Sequence, residues 1–200
     1  MEGRRIVFHG PNEIAIEAFD VPAPGPHGVL VRTECAAVSA GTELTGLLGV
    51  SSQSRGYPAY PGYANVGIVE AVGERVGSPR PGDRVLTMGR HQSHVAVDLD
   101  PHRPGGPQYI ESVPPDVAPE HAAFAILGSV ALHGLRKAEP QVGMSAAVFG
   151  QGVVGQLLVQ LAKAAGCRPV VAVDLVASRL ARSREGGADA VVDASATGVD

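Results

Sequence analysis

Residues 150–155 read Gly150-Gln151-Gly152-Val153-Val154-Gly155, a spacing that lets backbone, rather than side chains, hold an anion. Gly150 allows a tight turn. Gly152 lets the chain approach a pyrophosphate, and Gly155 lets a following helix lie close against a sheet. The N–H groups and positive dipole end of that helix then face the phosphates. The spacing alone is weak, and its surroundings give it meaning. Ala146-Ala147-Val148-Phe149 precedes it as a short apolar run of buried-strand type. Residues 156–165 are helical in period and closed by Gly166; Pro169-Val170-Val171-Ala172-Val173 is a second apolar run ending in Asp174. Strand, glycine turn, helix, strand and terminal acid, in that order, form the pattern of a dinucleotide site. Asp174 stands nineteen residues beyond Gly155, close to the spacing at which an acid reaches the ribose hydroxyls. A carboxylate there accepts from two hydroxyls and repels a 2′-phosphate, so NAD is expected over NADP. Arg179 and Arg182 on the next helix keep NADP open. The expected cofactor-binding residues are Gly150, Gln151, Gly152, Val153, Val154, Gly155, Asp174 and Arg179. The plainer alternative is a structural glycine turn with a surface Asp, and five agreeing features weigh against it.

Other residues with chemical potential are scattered. His91, His94 and His102 fall in one glycine- and proline-rich stretch, with Asp98 and Asp100 nearby. Surface histidines are the expectation there, in preference to a metal cluster. His133 shares a helical line with Val130 and Lys137 and is expected to be buried or to line a cleft. Cys35 and Cys167 are too few for a disulfide framework or a cysteine-rich zinc lobe.

Composition narrows the function class. Two hundred residues allow one or two domains, and a hydrophobic content of 44% is enough to build a core. A net charge of −4 exerts no general pull towards nucleic acid or anionic lipid. Aromatics make up 4% with no tryptophan, which argues against a base-stacking platform. Met1-Glu2-Gly3-Arg4-Arg5-Ile6 lacks the apolar core of a signal peptide. The longest apolar run, 122–132, is about half of the ~20 residues a membrane span needs. The expectation is a cytoplasmic enzyme with a small-molecule substrate and no nucleic-acid or membrane partner.

The elements that must position these residues fall into two halves. Before residue 118 the period is that of strands. Residues 5–8 and 13–17 pair across Gly10-Pro11-Asn12, and further strands are read at 29–38, 66–72, 83–88, 94–97 and 109–113. The first domain, 1–118, is therefore a β-rich module of partly closed barrel type. From Pro119 an alanine-rich helix is read to about Lys137. The strand–turn–helix–strand unit follows, then a helix at 178–185 ended by Gly186-Gly187, and a strand at 190–192. Strands alternating with helices imply a doubly wound parallel sheet for 119–200, an α/β architecture. Three strands are read where a complete dinucleotide domain has about six. The chain is therefore expected to be the N-terminal part of a longer one, marginally stable and inactive when isolated.

Several phrases occur in one order along the chain. They are Ser39-Ala40-Gly41-Thr42-Glu43, Pro61-Gly62-Tyr63-Ala64-Asn65-Val66-Gly67 and Pro81-Gly82-Asp83-Arg84-Val85, then Pro115-Asp116 with Glu120-His121-Ala122-Ala123. With the glycine turn, they make the chain resemble the medium-chain dehydrogenase/reductase superfamily, the zinc-type alcohol dehydrogenases and their relatives, over almost its whole length. The resemblance implies a GroES-like β-barrel module followed by a Rossmann domain, here incomplete. It implies an NAD(P)-dependent oxidoreductase moving a hydride between nicotinamide and an alcohol/carbonyl pair, and a homodimer in the full-length protein.

The chain departs from that family at the metal. Ala40 stands at the first zinc-ligating Cys position, Tyr63 and Ala64 at the His and Glu positions, and Leu127 near the later Cys. Residues 88–107 hold no Cys, so the structural zinc lobe is missing too. A catalytic zinc needs about three protein ligands, so none is expected. The pattern is similar to a zinc-poor branch of bacteriochlorophyllide dehydrogenase type. By resemblance, Thr42 holds the place of the Ser/Thr that relays the alcohol proton, and Tyr63 points into the same cleft as an acid or oxyanion donor. A helix cap for Thr42 and barrel packing for Tyr63 are the plainer alternatives. Glu43 is expected to orient neighbours. The stretch 49–60 is expected to select substrate through Arg55, Tyr57 or Tyr60. The rival readings are an NADPH-dependent alkene or quinone reductase of the same fold, and a dinucleotide-binding protein without catalysis.

Overall fold

The computed structural model of the chain describes residues 1–50 and 56–195. It parts into two compact units, Met1–Phe124 and Ala125–Asp200.

The first unit is built on valine. β3 (Gly28–Ala36) is flanked by β6 (His94–Asp98) and β4 (Asn65–Val72). β4 in turn pairs with β5 (Arg84–Thr87), and β5 with β7 (Ile110–Ser112). All four pairings are antiparallel. Val29, Val31, Val69, Val85, Val95 and Val97 from these strands form one buried cluster. β-Branched side chains suit it because their χ1 is already restricted and they pack well on a pleated face. Each fully buried valine contributes about 1.5 kcal/mol or more by area. The five strands form an open order, and closure comes from a separate ribbon. β1 (Glu2–Gly10) and β2 (Glu13–Asp20) pair antiparallel across a turn in which Asn12 is left-handed. That ribbon is tied back by bridges from Arg5 to Gln92 and from Phe8 to Ala59. α1 (Ala40–Leu47) follows β3, and α2 (Pro119–Ala122) lies against β3 and β4.

The alanine-rich stretch is not one helix. α2 ends at Ala122 and α3 runs over Ala125–Lys137. Between them the Phe124 N–H bonds to the His121 carbonyl, a three-residue step that interrupts the four-residue helical ladder. His133 on α3 is exposed, which corrects the buried alternative of its expectation and not the cleft-lining one; Leu127 and Ala131 supply the buried face.

In the second unit, β8 (Ala146–Phe149), β9 (Val170–Asp174) and β10 (Ala190–Asp193) form a parallel sheet in the order β10-β9-β8. α4 (Val153–Ala164) and α5 (Ala177–Glu185) are the crossovers. The buried residues of α4 are Gly155, Val159 and Ala162, a four-and-three spacing that forms one stripe. Val159 and Ala162 join Val148, Cys167, Val170 and Ala172 in the core. Both crossovers stop the same way. Gly166 and Gly187 are left-handed, and the next residue, Cys167 or Ala188, donates back to Ala162 or Ser183. This Schellman geometry favours glycine and sends the chain back towards the sheet.

Candidate functional site

The glycine turn lies at the C-terminal end of β8, where an open parallel sheet offers its ligand crevice. Gly150 has φ +83°, a backbone that favours glycine. Gly155 is required by contact. A Cβ built on it would lie 1.9 Å from the Gly150 carbonyl oxygen, so helix and turn touch backbone to backbone. Gly152, the N-cap of α4, has φ −71°, and a Cβ there would meet nothing within 4 Å. Its bareness serves no contact within the unit; it leaves an open approach to the helix end. The first four N–H groups of any helix lack intrahelical acceptors, and here Val153 and Val154 stand exposed around them.

Asp174 ends β9 beside this turn and is nearly buried. One carboxylate oxygen accepts the N–H of Gln151. The other accepts the N–H of Val176 at 2.8 Å. The Gln151 bond in particular, with help from Val176 and the Arg179 charge, holds the carboxyl below the usual range. The group is ionised, and it is pinned by these two backbone donors. Arg179 is exposed, with Nη1 3.9 Å from Asp174 Oδ2. Gln151 takes a different place from its neighbours. Its side chain is 1% exposed and turned inwards, donating to the Val148 carbonyl at 2.7 Å and accepting from Ser183 Oγ at 2.9 Å. Ser183 was not singled out by sequence. It is fully buried, and with Gln156, which donates to it and to the Arg179 carbonyl, it stitches α5 to the turn.

Thr42 and Tyr63 belong to the first unit. Thr42 lies inside α1, whose N-cap is Ser39; it is not itself the cap, and it is exposed. Its hydroxyl lies 3.4 Å from Ser39 Oγ. Tyr63 is half-buried, and among the described residues its hydroxyl has no hydrogen-bond partner. No hydrogen bond joins the two side chains. Ala40 and Ala64 carry no donor atoms. Among the described residues, no group of three or more His, Cys, Asp or Glu is placed to hold a metal ion.

His91 is a correction. It is buried, and its Nε2 lies 2.8 Å from Glu43 Oε2. His94 is half-buried, with Nε2 3.4 Å from Glu70 and Nδ1 3.1 Å from Ser93 Oγ. Neither is a surface histidine, because each has a polar partner distant in sequence that favours its burial. Nearby, Asn65 is fully buried and donates to Thr33 Oγ1, which donates to the Gln92 carbonyl at 2.6 Å. Tyr57 donates to the Leu47 carbonyl at 2.7 Å, and the Tyr60 ring is flanked by Arg5 and Arg90. Both serve local packing. Arg55 lies outside the described residues.

Comparison with known proteins gives a consistent picture. The family model of the alcohol dehydrogenase GroES-like domain matches residues 25–105, and that of the zinc-binding dehydrogenase matches residues 153–200. Human sorbitol dehydrogenase is 29% identical over 95% of this chain. The chain spans about 60% of the length of that relative. Among solved structures, a zinc-binding dehydrogenase from Sinorhizobium meliloti bound to NADP superposes with a TM-score of 0.84. It is 26% identical, over all of this chain and 64% of that one. The 2R,3R-butanediol dehydrogenase of Bacillus subtilis superposes with a TM-score of 0.82 and is 25% identical, over 98% of this chain and 64% of that one.

Proposed function

The chain belongs to the medium-chain dehydrogenase/reductase superfamily, and on that premise we propose that it is the N-terminal portion of an NAD(P)-dependent oxidoreductase acting on an alcohol/carbonyl pair without catalytic zinc. The observation that carries this reading is the turn at 150–155 with Asp174 pinned beside it. The residues fit the cofactor. Amides at the start of α4 take the diphosphate, Gly152 leaves it room, and Asp174 accepts the adenosine ribose hydroxyls. The nicotinamide, when bound, supplies or takes up the hydride. Asp174 favours NAD; the exposed Arg179 guanidinium beside it keeps a 2′-phosphate within reach of compensation.

The residues do not fit zinc. Ala40, Ala64 and Leu127 have no ligand atom, which leaves one phenol where about three ligands are needed. Charge developing on the substrate oxygen is met instead by hydrogen-bond donors, the hydroxyls of Thr42 and Tyr63. The Tyr63 hydroxyl, without a hydrogen-bond partner among the described residues, supports that assignment. The test is deuterium transfer from 4-deuterated NADH to a panel of aldehydes and ketones by the full-length protein, with metal content measured. Label on carbinol carbon at substoichiometric zinc supports the reading. Label only in reduced alkenes or quinones makes it a reductase of the rival kind, and cofactor binding with no transfer to any acceptor makes it non-catalytic.

A further inference from the structure

We propose that Glu43 and His91 form a positioning pair, a nearly buried bridge that holds Thr42 and Tyr63 in one frame. The inference rests on the roles given above to those two hydroxyls. The two side chains are 11% and 7% exposed and meet at 2.8 Å, although 48 residues separate them. The bond joins His91 Nε2 to Glu43 Oε2, with Nε2 assigned as the donor. The other Glu43 oxygen accepts the N–H of Ser39 at 2.8 Å, in the manner of a capping box. Glu43 therefore fixes the start of α1, the turn that bears Thr42.

His91 fixes the other partner. Its N–H donates to the Pro61 carbonyl at 2.9 Å, and its own carbonyl accepts from Ile6 at 2.9 Å. Gly62 packs directly on it: a Cβ there would lie 2.5 Å from the His91 nitrogen and 2.9 Å from its ring carbon, and Gly62 has φ +101°. Tyr63 is the next residue. The path from Thr42 through the helix cap, Glu43, His91 and Gly62 to Tyr63 is continuous, and every link is a hydrogen bond, a covalent step or a close contact. A buried polar pair is weak evidence for stability, because desolvation offsets its attraction. Its value here is geometric. Groups that meet a reacting oxygen need support that holds them to about half an ångström.

The test uses the full-length protein with 13C-labelled threonine methyls and tyrosine rings, the two signals assigned through Thr42→Ser and Tyr63→Phe. His91→Leu removes the donor; His91→Gln keeps one near Nε2. The expected result is that His91→Leu shifts both signals well below its melting temperature and His91→Gln restores them. NADH affinity, which belongs to the other unit, is expected to stay within about twofold. On any carbonyl the wild type reduces, His91→Leu is expected to lower kcat roughly ten- to a hundredfold, the size of effect expected from slight misplacement. Should His91→Leu not fold, Glu43→Asp, one methylene shorter, is expected to shift the same two signals by less. Signals unmoved in the variants that fold, or moved equally by Leu and Gln, overturn the proposal. Signals that behave as expected in a protein that reduces no carbonyl leave the frame standing and remove the alcohol/carbonyl reading instead.

Discussion

One carboxylate, that of Asp174, is shared between architecture and the proposed cofactor binding, and the two roles can be separated by experiment. It accepts two backbone N–H groups, which only a charged or doubly accepting group satisfies. Asp174→Asn places an N–H₂ against one of those donors. It also removes the proposed acceptor of ribose hydroxyls. NAD affinity is expected to fall roughly ten- to a hundredfold, the size of losing a hydrogen bond or two to a charged group, with preference moving towards NADP. Competitive titration of the two cofactors measures this, and unchanged selectivity would remove Asp174 from the site. Protonation gives a second handle. Asp174, and Asp189 through its Lys163 ion pair, are both held below their ordinary value of 3.8. A carboxyl lowered by folding contributes stability above its unfolded value and loses it as pH falls through the lower, folded value. Thermal stability is therefore expected to drop below about pH 4, and Asp189→Asn to flatten that drop while lowering the plateau at neutral pH. A drop centred near pH 6 would point to histidines instead.

Two glycines of one turn should fail in different ways, because one is constrained by the element and the other, on the proposed reading, by a ligand. Gly155→Ala drives a methyl into a backbone oxygen at 1.9 Å, which no rotamer change relieves. Moving α4 off the turn is expected to cost about 2 kcal/mol or more in chemical denaturation. Gly152→Ala meets open space at an ordinary φ and should leave stability within about 0.5 kcal/mol while weakening NADH binding. If Gly152→Ala binds NADH normally, the diphosphate does not approach there. This turn was legible in sequence because everything that makes it is local: two apolar runs, three glycines and an acid within 29 residues. The helix stops at Gly166 and Gly187 were legible for the same reason. Partners far apart were not. Nothing in the period of residues 40–47 or 91–97 shows that Glu43 meets His91, and nothing near Gln151 points to Ser183, 32 residues on. Periodicity says which face is buried, not what lies opposite. It also missed the break at 123–124, where composition favours helix throughout.

At the scale of the molecule, the proposed dinucleotide turn and the tyrosines fall in different units, and this makes binding separately observable. Tyr57, Tyr60, Tyr63 and Tyr109 all lie in Met1–Phe124, and the chain has no tryptophan. The three longest helices, α3, α4 and α5, all lie in Ala125–Asp200. Ellipticity at 222 nm therefore follows the second unit and tyrosine emission the first. A ligand that binds only the folded state stabilises it by about 2.7 kcal/mol at a hundredfold excess over Kd. On a unit of this size that is a midpoint rise of roughly 10–20 °C, and on a whole chain of this length roughly 5–10 °C. NAD is thus expected to raise the 222 nm midpoint by the larger amount with tyrosine emission unmoved if the units unfold separately. It is expected to raise both by the smaller amount if they unfold as one. A 222 nm midpoint that ignores saturating NAD and NADP alike would mean that the turn at 150–155 packs a helix on a sheet and binds nothing.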